Sequence, residues 1–476
     1  MTARVFHAIG AHARDLGDKP ALRSGDRIID YRHLAAFLAA SAKTLSGAPS
    51  VVGITGADPL EAALADLALT YTGRVSVHLP PFFSDEQKVH IIAAAGVRAV
   101  IGPWATPGQR IALPAPETCD LAVDLPAPTG SAKRIIFTSG SSGRPKGVVI
   151  GARQMEAAIA GLERAILPVP SDIHLSLLPM AQLLEQIAGL YLPLLAGAQV
   201  RYCPEALSAL FGGAVEPLVR TLAEAQPTTT ILVPALLSRL LGGLAMAGER
   251  APDSLRFVAV GGAATAPALL DAALAHGMPV HEGYGLSECS SVVALNRPGA
   301  NRPGSVGRVL DGIKVRIDDG EIVVSGPTVM EGYLGQPAVE GEWRTGDLGR
   351  FEYGVLIVEG RKDWLIVTPE GRNINPEWVE AQVAADIRIP AAGVRLAQDG
   401  RLEIIALVAA PVTPQHVAEL LRGLPPYARP ARVIFVPASL PGLLKPGGGM
   451  DRSRLGALAA SHPSIPLTYE FEELTA

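Results

Sequence analysis

The sequence is poor in cysteine, lacks any long uncharged apolar run and carries no strong excess of either charge sign, and each shortage removes a class of protein. Its three cysteines, Cys119, Cys203 and Cys289, are far apart and show no C-x-x-C or Cys/His ligand spacing. A disulfide scaffold and a structural zinc are therefore not expected. The apolar stretch between Glu185 and Arg201 is too short to span a bilayer and is interrupted by Gly189, Pro193 and Gly197, so no transmembrane segment is expected. At the start, M-T-A-R-V-F-H-A-I-G-A-H-A-R, His and Arg interrupt what would have to be a secretory apolar core; a cytoplasmic protein is expected. A net charge of −5 without a basic block leaves no electrostatic footprint for nucleic acid. Internal repeats and long low-complexity tracts are also missing.

What is present is enough apolar material, 48% of 476 residues, to bury a large core divided among two or three domains. From the N-terminus the pattern alternates: a helix from about Val5, a strand pair over 21–31, and a helix from about Tyr31. Then come a strand at 51–54, a helix at 59–71, a strand at 76–77, a helix at 84–95 and a strand at 99–101. The alternation resumes with a helix at 155–166, a strand at 229–233, a helix at 234–244, a strand at 257–260 and a helix at 266–276. Alternation of this kind predicts an α/β fold with parallel sheets. From 304 to 324 the strands shorten and turns multiply, as in an antiparallel or barrel-like subdomain. Residues 1–359 are expected to form this large N-terminal domain, and 360–476 a small mobile α+β C-terminal domain. In the latter, strands are expected at 365–367, 404–408 and 433–436 and helices at 376–385 and 414–421.

Chemistry concentrates in residues 137–147, F-T-S-G-S-S-G-R-P-K-G, directly after the apolar run Ile135-Ile136-Phe137. Three glycines, four hydroxyls and two cations in eleven residues suit phosphate binding. Glycines let backbone N–H groups approach phosphate oxygens, hydroxyls donate or reach a metal, and Arg144 and Lys146 neutralise charge. The spacing is neither G-x-x-x-x-G-K-[ST] nor G-x-G-x-x-G. Downstream lie Gly261-Gly262-Ala263 after a predicted strand, then Glu282-Gly283-Tyr284-Gly285-Leu286-Ser287-Glu288. Trp343-Arg344-Thr345-Gly346-Asp347, Gly360-Arg361-Lys362-Asp363 and Leu424-Pro425-Pro426-Tyr427 follow. Singly, these read as turns.

Together and in this order they resemble the motifs of the adenylate-forming superfamily, which contains acyl-CoA synthetases, peptide-synthetase adenylation domains and luciferases. The resemblance covers nearly the whole chain, is closest in flavour to long-chain fatty acyl-CoA synthetases, and implies the following roles. Thr138, Ser139, Gly140, Ser141, Ser142, Gly143 and Lys146 would hold the β- and γ-phosphates of ATP. Gly261, Gly262, Ala263, Glu282, Gly283, Tyr284, Gly285 and Ser287 would frame the adenosine, with the Tyr284 ring on adenine. Glu288, with Thr138, would hold Mg²⁺. Asp347 and Arg361 would reach the ribose hydroxyls, and Asp363 would be the hinge of the C-terminal domain. The implied activity is ATP-dependent conversion of a fatty or other hydrophobic carboxylic acid to an acyl-adenylate, then acyl transfer to coenzyme A. An acyl-carrier-protein phosphopantetheine or an amine are the alternative acceptors, Pro369-Glu370 departing from the family's usual S-G-G near the pantetheine tunnel. The acyl pocket is expected between 234–241 and the strand leading to Tyr284, where Ala263, Ala264 and Ser291 leave room.

Two positions depart from the pattern. Pro446-Gly447-Gly448-Gly449-Met450-Asp451-Arg452 aligns without a gap to P-x-G-K-[VI]-x-R, so Gly449 occupies the position of the family's catalytic lysine. Losing such a contact would cost on the order of 10² to 10³ in the rate of the first half-reaction. An engineered residue, replacement by Lys445 and a naturally impaired enzyme are the three explanations; the last leads to a different class, a nucleotide or acyl-adenylate binding protein. In Leu178-Pro179-Met180-Ala181-Gln182, Gln182 stands where long-chain synthetases carry histidine and cannot titrate.

Overall fold

The computed structural model describes residues 3–80, 82–103, 108–122, 124–138, 145–210, 213–369, 371–440, 443–444 and 450–469. The expected α/β alternation is present, organised around two large sheets. In the seven-stranded sheet the spatial order is Gly332–Tyr333, Lys146–Gly151, Lys133–Thr138, Val75–His78, Val51–Ile54, Ala99–Ile101, Gln109–Ile111. The last five strands are parallel, while Lys133–Thr138 and Lys146–Gly151 form an antiparallel hairpin in which Thr138 pairs with Lys146. The hairpin explains why residues 137–147 are flanked by strands on both sides, a feature the sequence shows only on the first.

The nine-stranded sheet runs Arg308–Val309, Ala294–Leu295, Val280–Tyr284, Phe257–Val260, Thr229–Leu232, Ile173–Ser176, Gln199–Tyr202, Pro20–Ser24, Arg27–Asp30. Its six central strands are parallel. Phe257–Val260 is wholly apolar, as a strand covered on both faces tends to be, whereas other central strands carry buried polar side chains such as Thr229, Thr230 and His174. The covering helices show why they form where they do. Helix Pro59–Tyr71 starts with Pro at its first position and Asp58 accepting from the Leu60 and Glu61 amides, and nearly all of it is buried. Helix Asp85–Ala95 opens on a Ser84/Gln87 capping box and closes on left-handed Gly96.

The apolar segment from Leu175 to Ala198 is not a single element. Ile173–Ser176 is a strand, Glu185–Tyr191 a π-helix and Leu192–Ala196 a short α-helix. Beyond the large sheets, Lys314–Asp318, Glu321–Ser325, Glu342–Glu352 and Val355–Arg361 make the four-stranded antiparallel sheet expected from the shorter strands. The C-terminal strands Ala391–Leu396, Leu402–Val408, Arg432–Pro437 and Ser464–Pro466 form a mixed sheet packed with helices Pro376–Ala384 and Pro414–Leu420. No helix among the described residues is long and apolar enough to cross a membrane.

Candidate active site

Parallel strands end where helices begin, and ligands of open α/β sheets bind beyond those carboxyl ends. Strands Phe257–Val260 and Val280–Tyr284 are parallel neighbours with Val260 opposite Glu282. Gly261-Gly262-Ala263 therefore lies beside Glu282–Gly285. The approach is close: a Cβ at Gly261 would come within 3.0 Å of the Gly283 carbonyl oxygen. At Gly285 a side chain would collide with the backbone of Ser291, so glycine there is a packing requirement. Ser287, Glu288 and Cys289 form a single 3₁₀ turn, after which Ser290 and Ser291 take left-handed backbone angles, φ 56° and 85°. Two consecutive non-glycine residues in that region are strained, and the Ser290 hydroxyl, donating to the Thr328 carbonyl at 2.6 Å, holds the turn.

The Trp343–Asp347 and Gly360–Asp363 segments come together as cross-strand partners, with Asp347 paired to Arg361. The Asp347 carboxylate accepts from the Tyr284 hydroxyl at 2.5 Å and from Arg361 Nη1 at 3.2 Å. Arg361 also donates to the Thr345 carbonyl at 3.0 Å. Three residues 63 and 14 positions from one another along the chain thus form one cluster. Burial raises the Asp347 pKa, against the opposing pull of Tyr284 and Arg361, and burial likewise raises that of Tyr284. Two of the carboxylate's lone-pair sites are taken, leaving capacity for further donors. Asp363 is largely exposed, 3.6 Å from Arg361. Gly360, at φ 123°, lies where a side chain would strike Asn375, the N-cap of helix Pro376–Ala384.

Tyr333, which sequence reasoning missed, connects two of the expected groups. Its hydroxyl donates to Glu288 Oε1 at 2.7 Å. The Lys146 ammonium lies 5.6 Å from its ring centroid, within cation–π range, and Trp343 meets the ring edge-on at 5.7 Å. Its strand, Gly332–Tyr333, adds to Lys146–Gly151, so one short edge strand joins the exit of the glycine-rich loop to Glu288. A signal existed: Glu331-Gly332-Tyr333 repeats the Glu282-Gly283-Tyr284 triplet.

Thr138 and Lys146 face each other across the hairpin mouth; Ser139, Gly140, Ser141, Ser142, Gly143 and Arg144 lie outside the described residues, as do Lys445 and Gly449. No group of three or more His, Cys, Asp or Glu side chains able to hold a metal occurs among the described residues. Glu288 and the Thr138 hydroxyl are hard oxygen donors. Mg²⁺ commonly takes one or two protein oxygens and fills the rest of its shell with phosphate and water, so this donor set fits that ion bound with a nucleotide. Farther along the chain, the Arg372 guanidinium stacks over Tyr427 at 5.5 Å, tying the 368–372 loop to the Leu424–Tyr427 turn.

Residues 10–334 match the family described as AMP-binding enzyme. A 2-succinylbenzoate–CoA ligase of Bacillus licheniformis is 31% identical over 331 residues, 64% of this chain and 66% of that protein. Long-chain-fatty-acid–CoA ligase 1 of Cavia porcellus is 29% identical over 332 residues, 56% of this chain and 44% of its own length. The chain thus spans less than two-thirds of the length of these relatives. Its fold is that of the anthranilate CoA ligase AuaEII in complex with anthranoyl-AMP, with a TM-score of 0.83 over 96% of this chain and 97% of the other at 18% identity. On a family match that takes in the glycine-rich loop, Tyr284, Glu288 and Tyr333, the chain belongs to the AMP-binding enzymes.

Proposed function

We propose that the protein activates a hydrophobic carboxylic acid with ATP and transfers the acyl group to coenzyme A. The observation that carries this function is the joining of Tyr284, Asp347 and Arg361 in one hydrogen-bonded cluster at the same strand ends as Glu288. A ribose offers two hydroxyls to a buried carboxylate and a guanidinium, and the Tyr284 ring offers a flat apolar face to a base. In the first step a carboxylate oxygen bonds to the α-phosphorus, the bond to the β-phosphate oxygen breaks, and pyrophosphate leaves. In the second, the thiol sulfur bonds to the acyl carbon, AMP leaves, and the thiol proton is lost. Positioning and charge neutralisation carry such displacements. Lys146 and the residues from Thr138 to Gly143 would take the leaving phosphates, and Glu288 with Thr138 would hold Mg²⁺, which supplies charge neutralisation when bound.

The relatives' printed substrates, a succinylbenzoate, an anthranilate and long-chain fatty acids, share a carboxylate on an apolar body, and we extend no narrower class to this chain. Residues 1–359 would form the adenylating body and 360–476 a lid pivoting near Asp363, with coenzyme A as the acceptor. A carrier-protein thiol or an amine as acceptor would appear as consumption of preformed acyl-adenylate without coenzyme A. Carboxylate-dependent exchange of pyrophosphate into ATP tests the function, using the chain as it stands and Gly449→Lys. Exchange should rise on the order of 10²-fold in the lysine variant, while thioester formation from synthetic acyl-adenylate is the same in both. Absence of exchange in both, with every candidate acid, overturns the function.

A further inference from the structure

The turn Lys362–Trp364 directly follows the strand that carries Arg361. Its last residue, Trp364, meets two guanidiniums. Arg361 Cζ lies 5.8 Å from the indole ring centroid and Arg452 Cζ 4.8 Å from it, both within cation–π range. A guanidinium stacks through its flat face and hydrogen-bonds through its edge, and Arg361 does both: its edge reaches the Asp347 carboxylate and the Thr345 carbonyl. Arg452 donates to Glu380 Oε2 at 2.6 Å, and the other oxygen of that carboxylate accepts from the Val394 amide at 2.7 Å. Each cation therefore has its own carboxylate, which offsets the repulsion of two like charges over one ring.

A second set of contacts seats the C-terminal segment on the N-terminal body. Helix Pro376–Ala384 packs Ala381, and the residue after its end, Ala385, against the apolar cluster that contains Leu240, Leu241 and Leu244 of helix Pro234–Ala247. Ile387 comes closest: its Cδ1 lies 1.4 Å from where a Cβ on Gly242 would stand, so any larger residue there must displace it. Asn375 donates its side-chain amide to the Glu359 carbonyl across the same junction. In the orientation these contacts fix, the indole covers Arg361.

We propose that Trp364 is a positioning residue that couples nucleotide affinity to the seating of the C-terminal lid. Its ring holds the Arg361 guanidinium with one edge toward the ribose position beside Asp347, and the ring is held in turn by Arg452 and by the seating of Ile387 on Gly242. Contacts remote from the nucleotide thereby set how well it binds. The inference rests on the proposed reading of residues 360–476 as a lid and of the Tyr284–Asp347–Arg361 cluster as the ribose site.

AMP is the probe, titrated into the full chain by calorimetry without acid or coenzyme A. Trp364→Leu should weaken AMP by about threefold to tenfold, the fold-change of one lost cation–π contact. Trp364→Phe, which keeps a flat ring face, should stay within about twofold of the unaltered chain. Gly242→Ala, far from the nucleotide, should weaken AMP as well. It should also lengthen the distance between spin labels at Tyr353→Cys and Glu419→Cys in a Cys119→Ser background, and Ile387→Ala in the same chain should restore both readouts. Unchanged AMP affinity in a folded Trp364→Leu overturns the proposal. An equal loss in Trp364→Phe does so too, because bulk rather than the ring face then carries the effect. A Gly242→Ala chain with unaltered AMP affinity and label distance overturns the coupling. A chain that binds AMP as expected but exchanges no pyrophosphate leaves the positioning role standing and overturns only the ligase function.

Discussion

Burial pushes the Glu282 carboxyl up to about 7 from its ordinary value of 4.5, so the folded chain keeps a proton there over a range in which the unfolded chain has lost it. The folded state then binds more protons than the unfolded one, and stability falls as pH rises from 4.5 through 7. Above that range the full cost of a buried charge is present; below it there is none. Glu282→Gln should flatten this decline, so that urea midpoints of the variant change less than those of the unaltered chain between the two ends of the window. A variant whose midpoints still fall as steeply would assign the decline to another group. The identity of Glu282 as a special residue was legible only through its motif; its protonation was not, because the burial that shifts it comes from residues elsewhere in the chain.

The short strand Gly332–Tyr333 works as a link between elements, since it extends the strand leaving the glycine-rich loop and presents the hydroxyl that orients Glu288. A hydrogen bond to a charged group contributes about 1.5–3 kcal/mol. Tyr333→Phe should therefore slow adenylate formation by roughly tenfold to a hundredfold, with a raised requirement for Mg²⁺ and little loss of thermal stability. An unchanged Mg²⁺ dependence in single-turnover measurements would mean that Tyr333 does not position Glu288. At this scale the sequence was informative about helices and parallel strands, whose periodicity and caps are local: the expected helix at 59–71 is the one that forms. It was silent between Leu175 and Ala198, where one apolar segment divides into the end of a strand, a π-helix and a short helix. A buried strand and a buried helix are equally apolar, so periodicity cannot separate them.

One ion-paired network joins helix Pro59–Tyr71, strand Lys133–Thr138 and the π-helix Glu185–Tyr191. Asp66, on helix Pro59–Tyr71, lies 3.4 Å from Arg134, the second residue of the strand that leads into the glycine-rich loop. Arg134 also bonds Gln186 at 2.5 Å and Thr70 at 3.1 Å, while Asp66 accepts from Tyr191 at 2.7 Å. Burial alone would raise the Asp66 pKa, yet the Arg134 charge and the neighbouring His78 hold it well below the carboxylate range. Removing one partner strands the other charge: Asp66→Asn should cost about 3–5 kcal/mol of unfolding free energy. Pairing Asp66→Leu with Arg134→Met should recover most of that loss. A single variant within about 1 kcal/mol of the unaltered protein in chemical denaturation would mean that the network carries little of the stability.

By itself the sequence determined the α/β class, the order of most elements and the family motifs, because each depends on neighbours within a few turns or on residue types that phosphate and nucleotide chemistry require. Tertiary structure decided which of those motifs meet. The pairing of Asp347 with Arg361 depends on strand register, the bond from Tyr284 to Asp347 on the close approach of two sheets, and the role of Tyr333 on an edge strand two residues long. It alone also brought Trp364 against both Arg361 and Arg452. Contacts between distant residues arise only when the chain closes its long loops, and no local pattern of residue types records where that closure brings them.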